Sequence, residues 1–113
     1  MIFITGPMFS GKREFACSLL HCSMQELSQH AVWDVQDLAA RRDDLAGLAR
    51  ELAAYPVVIA TETGCGVVPI EADRRAKREA AGRLACLLSK EADTVVRICC
   101  GLPQVLKGEL HAG

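Results

Sequence analysis

A chain of 113 residues, half of them hydrophobic, suffices for one domain over 1–113 with a proper core and leaves no length for a second. Only 4% of the residues are aromatic, so that core is aliphatic, and a net charge of −1 argues against a general nucleic-acid binder. No apolar run reaches transmembrane length and the first residues read as a strand rather than a leader, so the expectation is a cytoplasmic protein with no membrane partner.

The first predicted element is a strand over residues 2–5, running into Gly6-Pro7-Met8-Phe9-Ser10-Gly11-Lys12-Arg13. This fits G-x-x-x-x-G-K, the phosphate-binding loop, and departs from it at Arg13, where the pattern has Ser or Thr. Gly6 and Gly11 let the backbone curl until successive N–H groups face one concavity. A helix predicted over residues 11–22 adds its unpaired N-terminal donors. Lys12 would reach the β- and γ-phosphates of a nucleoside triphosphate. The bland alternative is a chance glycine-rich turn between strand and helix. Arg13 is a donor only: it can neutralise phosphate but cannot ligate the metal that a hydroxyl there normally holds. Ser10 is a nearby hydroxyl, on the other side of Lys12 from the missing one.

A second strand over residues 31–35 carries Ala31-Val32-Trp33-Asp34. An acid closing an apolar strand is the pattern of a carboxylate that holds magnesium, directly or through water, and an Asp capping the next helix reads the same way. A helix over residues 36–54 places Leu38, Leu45, Leu48 and Leu52 on one stripe, with Arg41, Arg42, Asp43 and Asp44 outside it. The third strand, residues 57–61, ends in Thr61-Glu62-Thr63-Gly64-Cys65-Gly66-Val67-Val68-Pro69. Glu62 would stand at the carboxyl edge of the sheet, either orienting a nucleophile or a water, or capping a turn. The glycines after it mean close backbone approach to something, or a flexible connection. A helix over residues 71–91 buries Ala76, Ala80, Leu84, Leu87 and Leu88. It opens with Arg74, Arg75, Lys77 and Arg78, followed by Arg83, which is either a solvated face or an anion site.

The last predicted strand, residues 94–100, sends the side chains of Cys99 and Cys100 to opposite faces, and a short, partly ordered tail follows Gly101. The six cysteines (Cys17, Cys22, Cys65, Cys86, Cys99 and Cys100) have no zinc spacing and read as reduced thiols. His21, His30 and His111 are scattered. Alternation of apolar strands with helices gives a mostly parallel, three-layer α/β sheet of four strands, whose ligands belong beyond the carboxyl ends. So small a sheet leaves edges and helix faces poorly covered, with room for a homo-oligomer.

Taken together, these motifs resemble the bifunctional adenosylcobinamide kinase / adenosylcobinamide-phosphate guanylyltransferase family. Glu62-Thr63-Gly64-Cys65-Gly66-Val67-Val68-Pro69 is similar to the family's N-E-V-G-x-G-I-V-P, and Arg78-Glu79-Ala80-Ala81-Gly82-Arg83 to its F-R-D-x-x-G-R at the matching distance. The G-x-x-x-S-G-K start, Ala92-Asp93 and Gly101-Leu102-Pro103 also look like family signatures. The resemblance covers residues 1–13 and 57–108 well and the middle poorly. It implies a RecA-like, P-loop NTPase-like fold and a late step of cobalamin assembly. That step is phosphorylation of the aminopropanol hydroxyl of adenosylcobinamide, then transfer of GMP from GTP through a guanylyl-histidine. Carried over by position, Gly6, Ser10, Gly11 and Lys12, with Arg13 beside them, would hold GTP or ATP, and Glu62 and Arg83 belong to the site region. Lys12 and Glu62 are then the catalytic candidates, Asp34 the ligand of a Mg2+ ion, and a corrinoid the acceptor.

Departures from the family are numerous. Phe9 stands for the family's Arg, Arg13 for Ser, Thr61 for Asn, Lys77 for an aromatic residue, Glu79 for Asp, and Ala85-Cys86 for N-Q. Neither His21 nor His30 has the H-x-x-x-R-P-like context of the guanylylated histidine. The guanylyltransferase half is therefore expected to be absent. What remains is a kinase-like enzyme, a non-catalytic nucleotide- or corrinoid-binding paralogue with a regulatory or partner role, or a remnant whose loop holds adventitious phosphate.

Overall fold

The computed structural model describes residues 1–62 and 72–110. Strands β1 (Ile2–Gly6), β2 (Ala31–Val32), β3 (Val57–Thr61), β4 (Thr94–Cys99) and β5 (Leu102–Lys107) form one sheet in the order β2-β3-β1-β4-β5. The first four are mutually parallel and β5 runs antiparallel to β4. The mostly parallel α/β sheet is as expected; the strand count is five rather than four.

Helices cover both faces, which is why β1, β3 and β4 are apolar on both sides. Helix α1 (Lys12–Leu20) and the short 3-10 turn Leu27–Gln29 lie against one face, where Ile4, Val57, Ile59, Val96 and Ile98 meet Ala16 and Leu27. Helices α2 (Gln36–Ala39), α3 (Leu45–Leu52) and α4 (Ala72–Glu91) lie against the other, where Phe3, Val58, Ala60 and Val95 meet Ala39, Leu48, Leu52, Leu84 and Leu88. The strands' two-residue alternation sends Val58 and Ile59 into opposite cores.

Several expected elements are corrected. The single helix over 36–54 is two, because the Asp44 side chain accepts from the Gly47 amide at 2.9 Å and starts α3 afresh as its N-cap. Strand β2 stops at Val32, since Asp34 takes a φ of 56° and turns the chain out of the sheet. On α4, Leu84 and Leu88 are buried as expected, but Ala76 is exposed. Cys100 is not in a strand: with φ values of 53° and 76°, Cys100 and Gly101 form the two-residue turn that folds β5 back onto β4.

The supposed loose tail is that fifth strand. All six of its residues are exposed, Pro103 included, as suits an edge. It is tied down by Lys107, whose ammonium donates to the carbonyls of Ser89 (3.0 Å) and Lys90 (3.3 Å) at the end of α4. Those carbonyls lack intrahelical partners and carry the negative end of the helix dipole. Among the described residues no helix is long and apolar enough to cross a membrane.

Leu88 joins α4 to the sheet and is fully buried. Leu88→Ala should cost about 2–5 kcal/mol of folding stability, read as a lowered midpoint in urea. An unchanged midpoint would mean that α4 does not depend on this contact.

Candidate functional site

The carboxyl ends of β1, β2 and β3 open into a cleft of 840 Å³ lined by the loop after β1, by Trp33, Asp34, Gln36 and Asp37 after β2, and by Thr61 and Glu62 after β3. The loop after β1 owes its shape to close packing. A Cβ on Gly6 would lie 2.3 Å from the Ile98 carbonyl oxygen and 3.0 Å from Ser10 Oγ. Gly11 begins α1 with a φ of 90°, and a Cβ there would lie 3.6 Å from the Gly101 Cα. The Gly101 amide donates to the Ser10 carbonyl at 2.8 Å, and the Glu62 amide to the Gly6 carbonyl at 2.8 Å. The loop is thus pinned from both neighbouring strands of β1.

Lys12 is buried, and its ammonium folds back over the loop, donating to the Pro7 carbonyl at 2.6 Å and to Ser10 Oγ at 3.4 Å. Burial pushes its pKa below the usual lysine value, and the carboxylates of Asp34 and Glu62 work against that shift. A cation held by a carbonyl and a hydroxyl, with no carboxylate of the described residues in contact, can exchange them for an anion's oxygens. Arg13 is exposed and its guanidinium stands 5.8 Å from the centre of the Trp33 ring, a cation–π contact that holds it over the same cleft.

Glu62 is engaged at both oxygens. Arg97 on β4 donates through Nε at 2.6 Å and through its NH2 nitrogen at 3.0 Å, with both side chains about a quarter to a third exposed at 22% and 34%. Asp34, by contrast, is exposed at the rim. Among the described residues no three His, Cys, Asp or Glu side chains converge as a metal site. One or two carboxylates are nevertheless what a magnesium ion arriving with a nucleotide requires, because phosphates and water supply its other oxygens.

The cleft therefore brings together Ser10, Gly11, Lys12, Arg13, Asp34 and Glu62, with Gly6 at the base of the loop. Arg83 is elsewhere, exposed on α4 and beside Ala80, Lys77 and Arg42 in a shallower depression next to α2. Residues 63–69 of the family-like segment, with the Thr63-Gly64-Cys65-Gly66 turn, and His111 lie outside the described residues. Sequence reading passed over Arg97, Trp33 and Gln36. Arg97 had a signal, a lone charge in an apolar strand; Gln36, whose Oε1 accepts from the Thr61 amide at 3.0 Å, had none.

Residues 17–106 match the family described as cobinamide kinase / cobinamide phosphate guanyltransferase. The match spans well over half of the chain. The chain belongs to this family. Membership gives it a cobinamide kinase/guanylyltransferase-like role in cobalamin biosynthesis. The matched stretch begins just after the loop that carries Lys12, and includes Asp34, Glu62, Arg83 and Arg97. No curated protein matches the chain.

Because Asp34 raises the Lys12 pKa, Asp34→Asn should lower it further. The check is an NMR titration of the Lys12 side chain in both proteins; equal midpoints would place Asp34 too far away to matter.

Proposed function

We propose that this family member binds a nucleoside triphosphate, GTP or ATP, with its phosphates on the loop Gly6–Arg13, and presents the γ-phosphate to a hydroxyl of a cobinamide-type corrinoid. The observation that carries this reading is the buried Lys12 ammonium, folded onto Pro7 and Ser10 at the carboxyl edge of a parallel sheet. Loop amides and the start of α1 supply donors, and Lys12 leaves its carbonyl for phosphate oxygens as the nucleotide arrives.

Magnesium enters as part of the nucleotide substrate, and Asp34 is the carboxylate positioned to meet it or its waters. Glu62 serves the charge balance around Lys12 and the fixing of β3 to β4, since both of its oxygens are taken by Arg97. A base at Glu62 would require Arg97 to release it first. Arg13 in the hydroxyl position neutralises phosphate in place of ligating metal. The guanylyl-histidine step is not part of the proposal, because His21 and His30 lack the family context for it.

A second reading, a nucleotide-holding paralogue without turnover, is favoured by the same Arg13 and by the occupied Glu62. Calorimetric titration of GTP and ATP, with and without magnesium, separates the readings. For the kinase, binding strengthens with magnesium, Lys12→Ala weakens it at least about a hundredfold, equivalent to roughly 3 kcal/mol for a charge-assisted contact, and cobinamide is phosphorylated. Tight binding indifferent to magnesium, with no phosphorylation, supports the paralogue. No binding at all, or binding indifferent to Lys12→Ala, would overturn both.

A further inference from the structure

Helix α1 ends where His21 adopts a left-handed φ of 54°, and the Cys22 amide closes the turn on the Cys17 carbonyl at 3.1 Å. This six-residue closure brings the side chain of the residue past the cap onto the last turn of the helix. Here the two side chains are thiols, both packed against the same core cluster. The chain then returns over the same spot, so that Met24 Sδ stands 3.6 Å from Cys17 Sγ. One short segment thus sets Met24 Sδ on Cys17 Sγ and, through the helix cap, brings the Cys22 residue onto the same turn. Both thiols are half-buried against the core beneath β1 and β3, and the thioether is 45% exposed.

We infer that Cys17, Cys22 and Met24 form a three-sulfur site for a soft monovalent cation of the Cu(I) class. The donor chemistry selects the ion. Thiolate and thioether sulfur suit Cu(I), whereas a thioether is no ligand for magnesium or calcium and zinc sites use Cys, His or carboxylate. The spacing suits it as well. Sulfurs about 2.3 Å from a central ion in a trigonal plane lie about 4 Å apart, so a pair at 3.6 Å needs only small side-chain adjustments to admit one. Two of the donors are fixed by the helix cap and the third is on an unbranched, adaptable side chain, so closure costs little order. On binding, each ligating thiol gives its proton to solvent and the metal keeps its oxidation state.

Neither the nucleotide reading nor the corrinoid enters this inference, because the site lies at the far end of α1 from Lys12. The test uses the reduced full chain, titrated anaerobically with Cu(I) against the chelator bathocuproine disulfonate. One copper per chain should survive the competition. Cys17→Ser and Met24→Leu should each weaken it at least about tenfold, the least expected from a lost ligand. Cys99→Ser/Cys100→Ser, which removes two exposed thiols, should leave it unchanged. X-ray absorption should give three sulfurs at about 2.3 Å. Should Cys17→Ser fail to fold, the exposed Met24→Leu still decides the matter. Copper retained undiminished by Met24→Leu, stripped from the wild type by the chelator, or lost with Cys99 and Cys100 would each overturn the site.

Discussion

The bidentate contact between Arg97 and Glu62 is the constraint on which the rest of the site depends. β1 is flanked by β3 and β4, with Gly6 opposite Thr61 and Thr5 opposite Arg97. The ion pair therefore ties the two flanking strands together around the carboxyl end of β1, where the glycine-rich loop leaves the sheet. Its partial burial and two charge-assisted hydrogen bonds, set against solvent screening of the part-exposed arginine, make it worth about 1–2 kcal/mol. The Glu62 amide bonds to the Gly6 carbonyl from the same place, so the residue fixes the loop through its backbone as well as its side chain. On the other side the Cys100-Gly101 turn bonds to the loop through Gly101 and Ser10. The antiparallel edge strand, far from being an appendage, sets where that turn stands.

From this frame follows the charge arrangement in the cleft. Lys12 is desolvated, yet carboxylates on two different connections support its ammonium. Arg13 is drawn aside to the face of Trp33. Such a cleft has two cations facing an incoming anion, and carboxylates that favour the charged form of Lys12. The two side-chain cations must leave Pro7 and Trp33 to meet an anion, and the part of the site that is preorganised is the set of loop amides.

Much of this was legible in the sequence, and the reasons differ by element. The apolar runs of β1, β3 and β4 are buried on both faces, so their identity as parallel strands shows in composition alone. The loop from Gly6 to Arg13 declares itself by two glycines, Gly6 required by its close approach to Ile98 and Gly11 by its φ of 90°. The break between α2 and α3 was hidden because the leucine stripe continues across it: Leu38, Leu45, Leu48 and Leu52 all pack on one core. A side-chain cap at Asp44 competes locally with helix propagation, and periodicity is blind to that contest. β5 was hidden for the opposite reason. It buries nothing, so no hydrophobic alternation marks it, and it is held by turn geometry and by Lys107 on the end of α4. Arg83 shows the limit of motif reasoning, since a sequence signature does not say which side of a helix faces the cleft.

The departure at Arg13 and the engagement of Glu62 by Arg97 bear on each other. In a phosphate-binding loop the residue after the lysine normally helps to hold a metal. Here that position carries a guanidinium, and the Glu62 carboxylate is held by that of Arg97. On the proposed nucleotide reading, Arg13 adds positive charge beside the phosphates, and both features take oxygen ligands away from the metal. Binding then leans on Lys12, Arg13 and the loop amides, while the alignment of metal and nucleophile falls to Asp34 and to whatever the acceptor brings. Ground-state affinity is easily retained under such a change, because cations bind the phosphates before and after transfer alike. Rate is not, because only interactions that strengthen in the transition state accelerate the step. On that reading Arg13 and Arg97 pull the site toward holding a nucleotide, and turnover would rest on Asp34.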